Sequence, residues 1–185
     1  MKLELHKQLE AKMTKTIDAL KYEYTTIRTG RANPQMLDKV RVDYYGTPTP
    51  INQMAAVSVP EPRTIMITPW DKSSMAEIEK AIRNSDLGLN PTNDGQVIRI
   101  SVPALTEERR KELAKRVHKV AEEFKVRLRN ERRDANDALK KMEKDGELTE
   151  DELKKAQDEV QKITDKFIKE IDAVATAKEK DIMEV

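Results

Sequence analysis

The side chains best suited to chemistry in this sequence are cations between residues 107 and 144. This segment holds 14 lysines and arginines against 9 aspartates and glutamates. At about 100° per residue, five of the cations share one flank of a helix, away from the centre of its apolar stripe. These five are Lys125, Arg129, Arg132, Arg133 and Lys140. Because an arginine fork can hold two phosphate oxygens and stack on an exposed base, this row is suited to a nucleic-acid backbone.

The segment that follows has the opposite charge. Residues 147–185 contain 7 lysines and arginines against 12 aspartates and glutamates, and none of the seven is an arginine. Two adjacent helices of opposite charge could pair with each other, and pairs within the basic helix would occupy further cations. The pattern therefore allows two interpretations, a cationic row that binds phosphates or a set of internal ion pairs.

The residue types argue against catalysis. The chain has no cysteine, no glycine-rich phosphate loop and no His-Glu-x-x-His motif. Its two histidines, His6 and His118, fall on different predicted helices, and neither has a partner at metal-ligand spacing. The adjacent Glu122 and Glu123 have lysines one turn away, which is typical of solvated helix charge. We predict that the protein is not an enzyme and needs no metal or cofactor.

Composition indicates long helices exposed to water. Charged residues make up 37% of the chain and hydrophobic residues also 37%, with a net charge of only +1. The apolar side chains must therefore lie along narrow stripes. No apolar run approaches the roughly 18 residues that a membrane span requires, and the first residues lack the apolar core of a signal peptide. We expect a cytoplasmic protein.

The positions of the prolines divide the chain. All eight lie between Pro34 and Pro103, so the sequence reads as helix, insert and helices. The first helix is predicted to end at Gly30, and a second runs from the N-cap Thr106 to about Asp145. Apolar stripes of this length need partners. We therefore predict an antiparallel three-helix bundle made from residues 1–30 and 105–185.

A third helix is predicted to begin just after the second one ends. Gly146 interrupts the helical pattern, and Thr149 with Glu152 has the spacing of a capping box. The apolar residues that follow are close to a heptad repeat, which favours packing along a neighbouring helix.

The insert, residues 31–104, is predicted to be a small α/β domain. Runs rich in β-branched residues at 40–45, 56–59, 64–68 and 97–102 indicate strands, and residues 74–84 read as a helix that covers them. The overall class is therefore α+β. With a hinge at Gly30, Arg31, Pro103 and Ala104, we expect an elongated or L-shaped molecule, which small-angle scattering would distinguish from a sphere.

Five motifs resemble those of the ribosome recycling factors, in order and over essentially the whole chain. They occupy residues 28–34, 59–71, 85–91, 105–110 and 129–136. The resemblance implies a three-helix bundle with a βαβ-type insert, outlined like a transfer RNA. It also implies a function: binding to the ribosome after release of the polypeptide, and subunit separation driven by elongation factor G with GTP.

The resemblance also carries residue roles. It implies that the bundle lies against large-subunit ribosomal RNA, with Arg132 as a main contact and with Arg129 and Arg133 in the same motif. Arg28 and Arg31 match the first motif, where capping of the first helix is an equally good interpretation. Three other predicted RNA-binding residues complete the set, namely Lys125, Lys140 and Arg110.

One position departs from the family pattern. Glu131 stands where an apolar or neutral residue is expected, which would weaken the local affinity for RNA.

An alternative from another class is a coiled-coil interaction protein or chaperone that holds protein partners on the bundle. Ionic strength separates the two, since RNA binding weakens steeply with salt and apolar binding does not. The cations on the basic helix disfavour pairing with a second copy there, so we expect a monomer.

Overall fold

The computed structural model describes residues 3–184, so Met1, Lys2 and Val185, the outermost residues of the predicted bundle, lie outside the described part. The chain divides into two compact units. One comprises the chain through Ile27 together with Lys111–Glu184, and the other is Arg28–Arg110. The first unit is helical and the second contains the sheets, which confirms the α+β class.

Three helices form the first unit: α1 (Glu4–Thr25), α3 (Glu107–Lys144) and α4 (Glu150–Met183), except that the first four residues of α3 fall in the second unit. Two side-chain hydrogen bonds connect α1 to α3. Thr16 donates to Glu131, and Tyr24, further along α1, donates to the carbonyl of Val117, which lies earlier in α3. Contacts from α3 to α4 also run in opposite chain directions, so successive bundle helices are antiparallel. Their apolar stripes form the core, and its largest fully buried side chains are Met13, Leu20, Leu128, Leu139 and Ile171.

The ends of the long helices follow the predicted signals. The hydroxyl of Thr106 accepts a hydrogen bond from the backbone N–H of Arg109 at 3.1 Å, just before α3. Thr149 and Glu152 form a reciprocal capping box at α4, with distances of 3.1 and 3.0 Å. The backbone hydrogen bond from Thr149 lowers the pKa of Glu152. Between the helices Gly146 has φ of +80°, a conformation that side chains disfavour.

The first helix is shorter than predicted. It ends at Thr25 rather than at Gly30, because side-chain hydroxyl groups donate hydrogen bonds to carbonyls of its last turn. Thr25 donates to the carbonyl of Tyr22 at 2.6 Å, and Thr26 donates to that of Glu23 at 2.7 Å. Gly30 lies beyond this end with φ of +81°.

The second unit contains six strands and the helix α2 (Met75–Arg83). β1 (Arg41–Tyr44) and β2 (Thr47–Pro50) form a hairpin. A four-stranded sheet has the order β3-β4-β6-β5, with all neighbours antiparallel. Its strands are β3 (Ala55–Glu61), β4 (Thr64–Pro69), β5 (Pro91–Asn93) and β6 (Ile98–Ser101).

The connection through α2 explains the family's βαβ description. β4 and β5 flank β6 and are both antiparallel to it, so they run in the same direction and α2 links them as a split βαβ unit. Ile78 and Ile82 of α2 are fully buried in a core shared with Ile65, Ile67 and Ile100 of the sheet. Isoleucine alternation along β4 and β6 directs these side chains to one face.

Two strands, β2 and β5, were not predicted. β2 reads Thr-Pro-Thr-Pro, and β5 begins with a proline, so both lack the apolar alternation that marks a strand. Each lies at a sheet edge and pairs on one side, where a proline without an N–H group is tolerated. These two strands therefore form because they lie at sheet edges, a position that the sequence alone does not reveal.

The predicted hinge residues all lie in the second unit. Gly30, Arg31, Pro103 and Ala104 fall inside Arg28–Arg110, so the unit boundaries stand somewhat outside the predicted insert. Bending at these four residues stays a prediction. Among the helices of the described chain, none is long and apolar enough to cross a membrane.

Candidate nucleic-acid interface

The cations of α3 are presented by a helix with one buried side. Its buried side chains recur at helical spacing and pack toward α1 and α4, which leaves the rest of the circumference to charged residues. They are Leu113, Val117, Val120, Ala121, Phe124, Leu128, Ala135 and Leu139. The five cations predicted to share a flank lie about 60° to 160° from the middle of this stripe. The two nearest to it, Arg132 and Lys125, contact α4.

Three of these cations are free in solvent. Arg129, Arg133 and Lys140 are exposed, and within residues 3–184 none makes an ion pair or a side-chain hydrogen bond. They lie one turn or two turns apart, in line along the helix. Together with Arg132 they form what we call the α3 ridge.

Arg132 lies at the inner edge of the ridge, beside α4. Its Nη1 donates to the side-chain oxygen Oε1 of Gln161 at 3.1 Å, and Gln161 in turn donates from Nε2 to Asp165 at 2.8 Å. The residue is half-buried, and its Nε is buried without a partner in the described structure. The guanidinium is thus fixed by a neutral amide and keeps its full positive charge.

Lys125 differs from the other cations predicted to share its flank, because it is already in ion pairs. Its Nζ lies 2.6 Å from Asp172 of α4 and 3.3 Å from Glu122, and only 15% of its side chain is exposed. The hydrogen bond that Lys125 donates to Asp172 raises the pKa of Lys125. At about 80° from the middle of the stripe on a helical wheel, this residue is close enough to α4 to contact a carboxylate. Its charge therefore joins two helices.

The arrangement decides between the two interpretations of the charge pattern. Along residues 113–144 of α3, the Lys125–Asp172 pair is the one lysine or arginine ion pair to α4 within the described chain. An acidic helix lies alongside, and yet the four ridge residues are not neutralised by it. Internal pairing therefore accounts for Lys125 but not for the ridge.

Comparison with known proteins identifies the family. The family model described as "Ribosome recycling factor" matches residues 20–183. The chain belongs to the ribosome recycling factor family. A ribosome-recycling factor of Clostridioides difficile (strain 630) is 80% identical over the full length of both chains, and one of Bacillus subtilis (strain 168) is 57% identical, also over the full length of both.

Solved structures of the family share the fold. A solution structure of a ribosome recycling factor matches with a TM-score of 0.76 at 45% identity, covering both chains fully. A second match is described as models for the T. thermophilus ribosome recycling factor and the E. coli elongation factor G bound to the E. coli post-termination complex. It has a TM-score of 0.65 at 48% identity over 97% of each chain. Ribosome recycling factors are non-enzymatic, as the absence of catalytic motifs predicted, and the alternative of a coiled-coil chaperone is set aside.

Glu131, which departs from the family pattern, does not face the ridge. Its Oε1 accepts a hydrogen bond from the hydroxyl of Thr16 on α1 at 2.6 Å, and its Oε2 is buried without a partner in the described residues. The side chain is therefore directed to the α1 side of α3, whereas the ridge lies on the α4 side. The expectation that it weakens RNA affinity locally loses its geometric basis.

The arginines of the other family motifs lie in the second unit. Arg28 donates from Nη2 to the carbonyl of Leu87, so it holds the loop after α2 and does not cap α1. Arg31 is exposed, and its backbone N–H donates to the hydroxyl of Thr29 at 3.4 Å. Arg110 is half-buried, with its Nε buried and unpartnered in the part of the chain that the structure describes.

The two histidines have structural environments. His6 is fully buried, and its Nδ1 accepts from the N–H of Leu3 at 2.8 Å while its Nε2 lies 2.9 Å from the carbonyl of Ala156. His118 is exposed and lies 3.0 Å from Glu179. Residues 3–184 contain no group of three or more histidine, aspartate or glutamate side chains that could hold a metal ion.

Sequence reasoning missed Gln161. The residue is a neutral side chain in an acidic helix, and nothing in its own segment marks it. An antiparallel alignment of the two helices would not have found it, since the register that pairs Lys125 with Asp172 places Asp165, one turn away from Gln161, opposite Arg132.

Proposed function

We propose that this chain acts as a ribosome recycling factor by laying the α3 ridge against ribosomal RNA of the large subunit. In this function it binds the post-termination ribosome and, with elongation factor G and GTP, promotes separation of the subunits and release of the messenger RNA. The observation that carries the proposal is the row of exposed, unpaired cations beside an acidic helix. Cations that no neighbouring carboxylate pairs with remain available to bind the phosphates of an external partner.

The ridge fits a phosphate backbone better than a particular base sequence. Its guanidinium groups present planar forks that match phosphate oxygens, and Lys140 adds a point charge further along the helix. The chain contains neither an aromatic RNA-recognition motif nor a zinc-finger spacing. Binding should therefore depend on backbone shape and on salt.

The bundle and the insert have different tasks in this proposal. The helices form a stiff body, because each is packed along a long apolar stripe. The insert faces elongation factor G and moves about Gly30, Arg31, Pro103 and Ala104. Energy for subunit separation comes from GTP hydrolysed on the elongation factor. Action on ribosomes supports a location in the cytoplasm, and the exposed cations of α3, which disfavour pairing with a second copy, support a monomer.

The remaining predicted cations are secondary in this proposal. Arg28, Arg31 and Arg110, which lie in the second unit, add further phosphate contacts. Arg28 also donates a hydrogen bond to the carbonyl of Leu87. Lys125 links α3 to α4 through its ion pair with Asp172 and adds only indirectly to the positive potential around the ridge.

Substitution of Arg132 by alanine tests the proposal. We expect ribosome binding to weaken by about 1 to 3 kcal/mol, roughly 5- to 150-fold in Kd, while the helical circular dichroism stays that of the parent. Arg116→Ala is the matched control, because Arg116 is an exposed arginine of the same helix outside the ridge. Unaltered affinity in the Arg132 variant would remove α3 as the docking face.

A further inference from the structure

The α3 ridge contains one arginine whose position depends on α4. Arg129 and Arg133 are exposed and unpaired in the described chain, whereas Arg132 is half-buried and donates from Nη1 to Oε1 of Gln161 at 3.1 Å. Its Nε is buried, and its Nη2 has no partner and still reaches the surface. The guanidinium is therefore held with one edge inward and one amino group outward.

We propose that Gln161 is a positioning residue for Arg132, resting on the proposed function above. The orientation of its amide is determined by the groups on either side. Asp165 can only accept hydrogen bonds and accepts from Nε2 at 2.8 Å, while the guanidinium can only donate and donates to Oε1. The amide thus connects a cation and an anion that would otherwise attract each other directly.

The neutral amide keeps the arginine available. A hydrogen bond to an amide oxygen holds one N–H of the guanidinium but leaves its charge whole, whereas a carboxylate at position 161 would form a charge-assisted pair and occupy the fork. Asp165 remains one helical turn further along α4, and Gln161 occupies the space between. The structure thus has a guanidinium anchored to α4 without being neutralised by it.

The same pair of helices contains a natural comparison. Two turns earlier in α3, the residue of α4 that meets the basic side chain is Asp172, and there the outcome is a direct ion pair with Lys125 at 2.6 Å. The two sites share the helix pair and the side of α3, although Gln161 lies one turn of α4 away from the position that corresponds to Asp172. What differs is the group that contacts the cation, a carboxylate at Lys125 and an amide at Arg132, and with it whether the cation is in an ion pair.

A double-mutant cycle with Gln161→Glu and Arg132→Ala tests the inference, read as the Kd for ribosomes over a range of salt concentrations. Gln8→Glu is the charge-matched control, since Gln8 is exposed on α1 and its side chain makes no hydrogen bond in the described residues. Gln161→Glu should weaken binding by about 5-fold or more and should lower the magnitude of the salt slope by about 0.7 to 0.9, the value of one phosphate contact. On the Arg132→Ala background it should have no more effect than Gln8→Glu.

The failures of the two proposals can be told apart. If Arg132→Ala weakens binding but Gln161→Glu weakens it equally on both backgrounds, Gln161 acts by general charge and the positioning role is overturned. If Gln161→Glu matches Gln8→Glu on the parent background, the role is overturned as well. If Arg132→Ala itself binds like the parent protein, the docking face falls and this inference falls with it. Urea unfolding of each variant separates a loss of fold from a loss of contact.

Discussion

Replacing His6 by alanine should destabilise the bundle far more than replacing His118. The ring of His6 is fully buried between α1 and α4, and both of its nitrogen atoms have partners. Since a carbonyl only accepts and a backbone N–H only donates, Nε2 carries the hydrogen toward Ala156 and Nδ1 accepts from Leu3. The ring is therefore neutral, with its tautomer determined by the two helices.

The magnitude follows from what the substitution leaves behind. The carbonyl of Ala156 loses a buried hydrogen bond, at about 1 to 3 kcal/mol, and the N–H of Leu3 loses its partner at the start of α1, at about 0.5 to 1.5 kcal/mol. The empty space of the ring costs about 1 kcal/mol more. We expect a total loss of about 2.5 to 5.5 kcal/mol in the free energy of unfolding, measured by urea denaturation at neutral pH.

The control lies in the same chain. His118 is 58% exposed and meets Glu179 across 3.0 Å, so His118→Ala should change the free energy of unfolding by less than about 1 kcal/mol. Similar losses for the two variants, or a loss below about 1 kcal/mol for His6→Ala, would refute the assignment of His6 as a buried link between helices.

Three further predictions follow from single contacts. The backbone N–H groups of Val97 and Gln96 hold the pKa of Asp94 at about 2, so its contribution to stability is complete above about pH 4 and is lost as the pH falls through about 2. Carboxyl resonances in NMR would show this midpoint, and a midpoint near 4 would contradict it. Thr149→Ala should lower the free energy of unfolding by about 1 kcal/mol through loss of the α4 cap, and a neutral result would mean that the capping box is unimportant in solution. Lys125→Ala should lower the melting temperature while leaving the Kd for ribosomes within about 2-fold, since this cation is already paired, and a loss as large as that of Arg132→Ala would show that it binds RNA.

Local signals predicted the helices well. Thr106, Gly146 and the Thr149–Glu152 box each act on a few neighbouring residues, so their effect could be read without knowing the fold. The end of α1 was placed wrongly for a related reason. A glycine is a visible stop signal, whereas the hydroxyls of Thr25 and Thr26 end the helix earlier by a competition between side chain and backbone.

Features that depend on neighbours in space could not be predicted. β2 and β5 form because other strands offer an edge that tolerates proline. In the ridge, the helical wheel placed Lys125 and Arg132 on one flank but could not tell that α4 presents a carboxylate to the first and an amide to the second. Pairing across helices depends on their axial register, which single-helix periodicity does not contain.

The salt dependence of ribosome binding tests the central claim most directly. Arg129→Gln with Arg133→Gln removes two unpaired cations of the ridge, and Arg116→Gln with Lys141→Gln removes the same charge from another face of α3. Co-sedimentation with ribosomes across a salt series gives the slope of log Kd against log salt for each. If the ridge holds RNA phosphates, the first variant loses about 1.4 to 1.8 from the magnitude of that slope and the second keeps the parent value. Equal slopes for the parent and the Arg129, Arg133 variant would contradict the account.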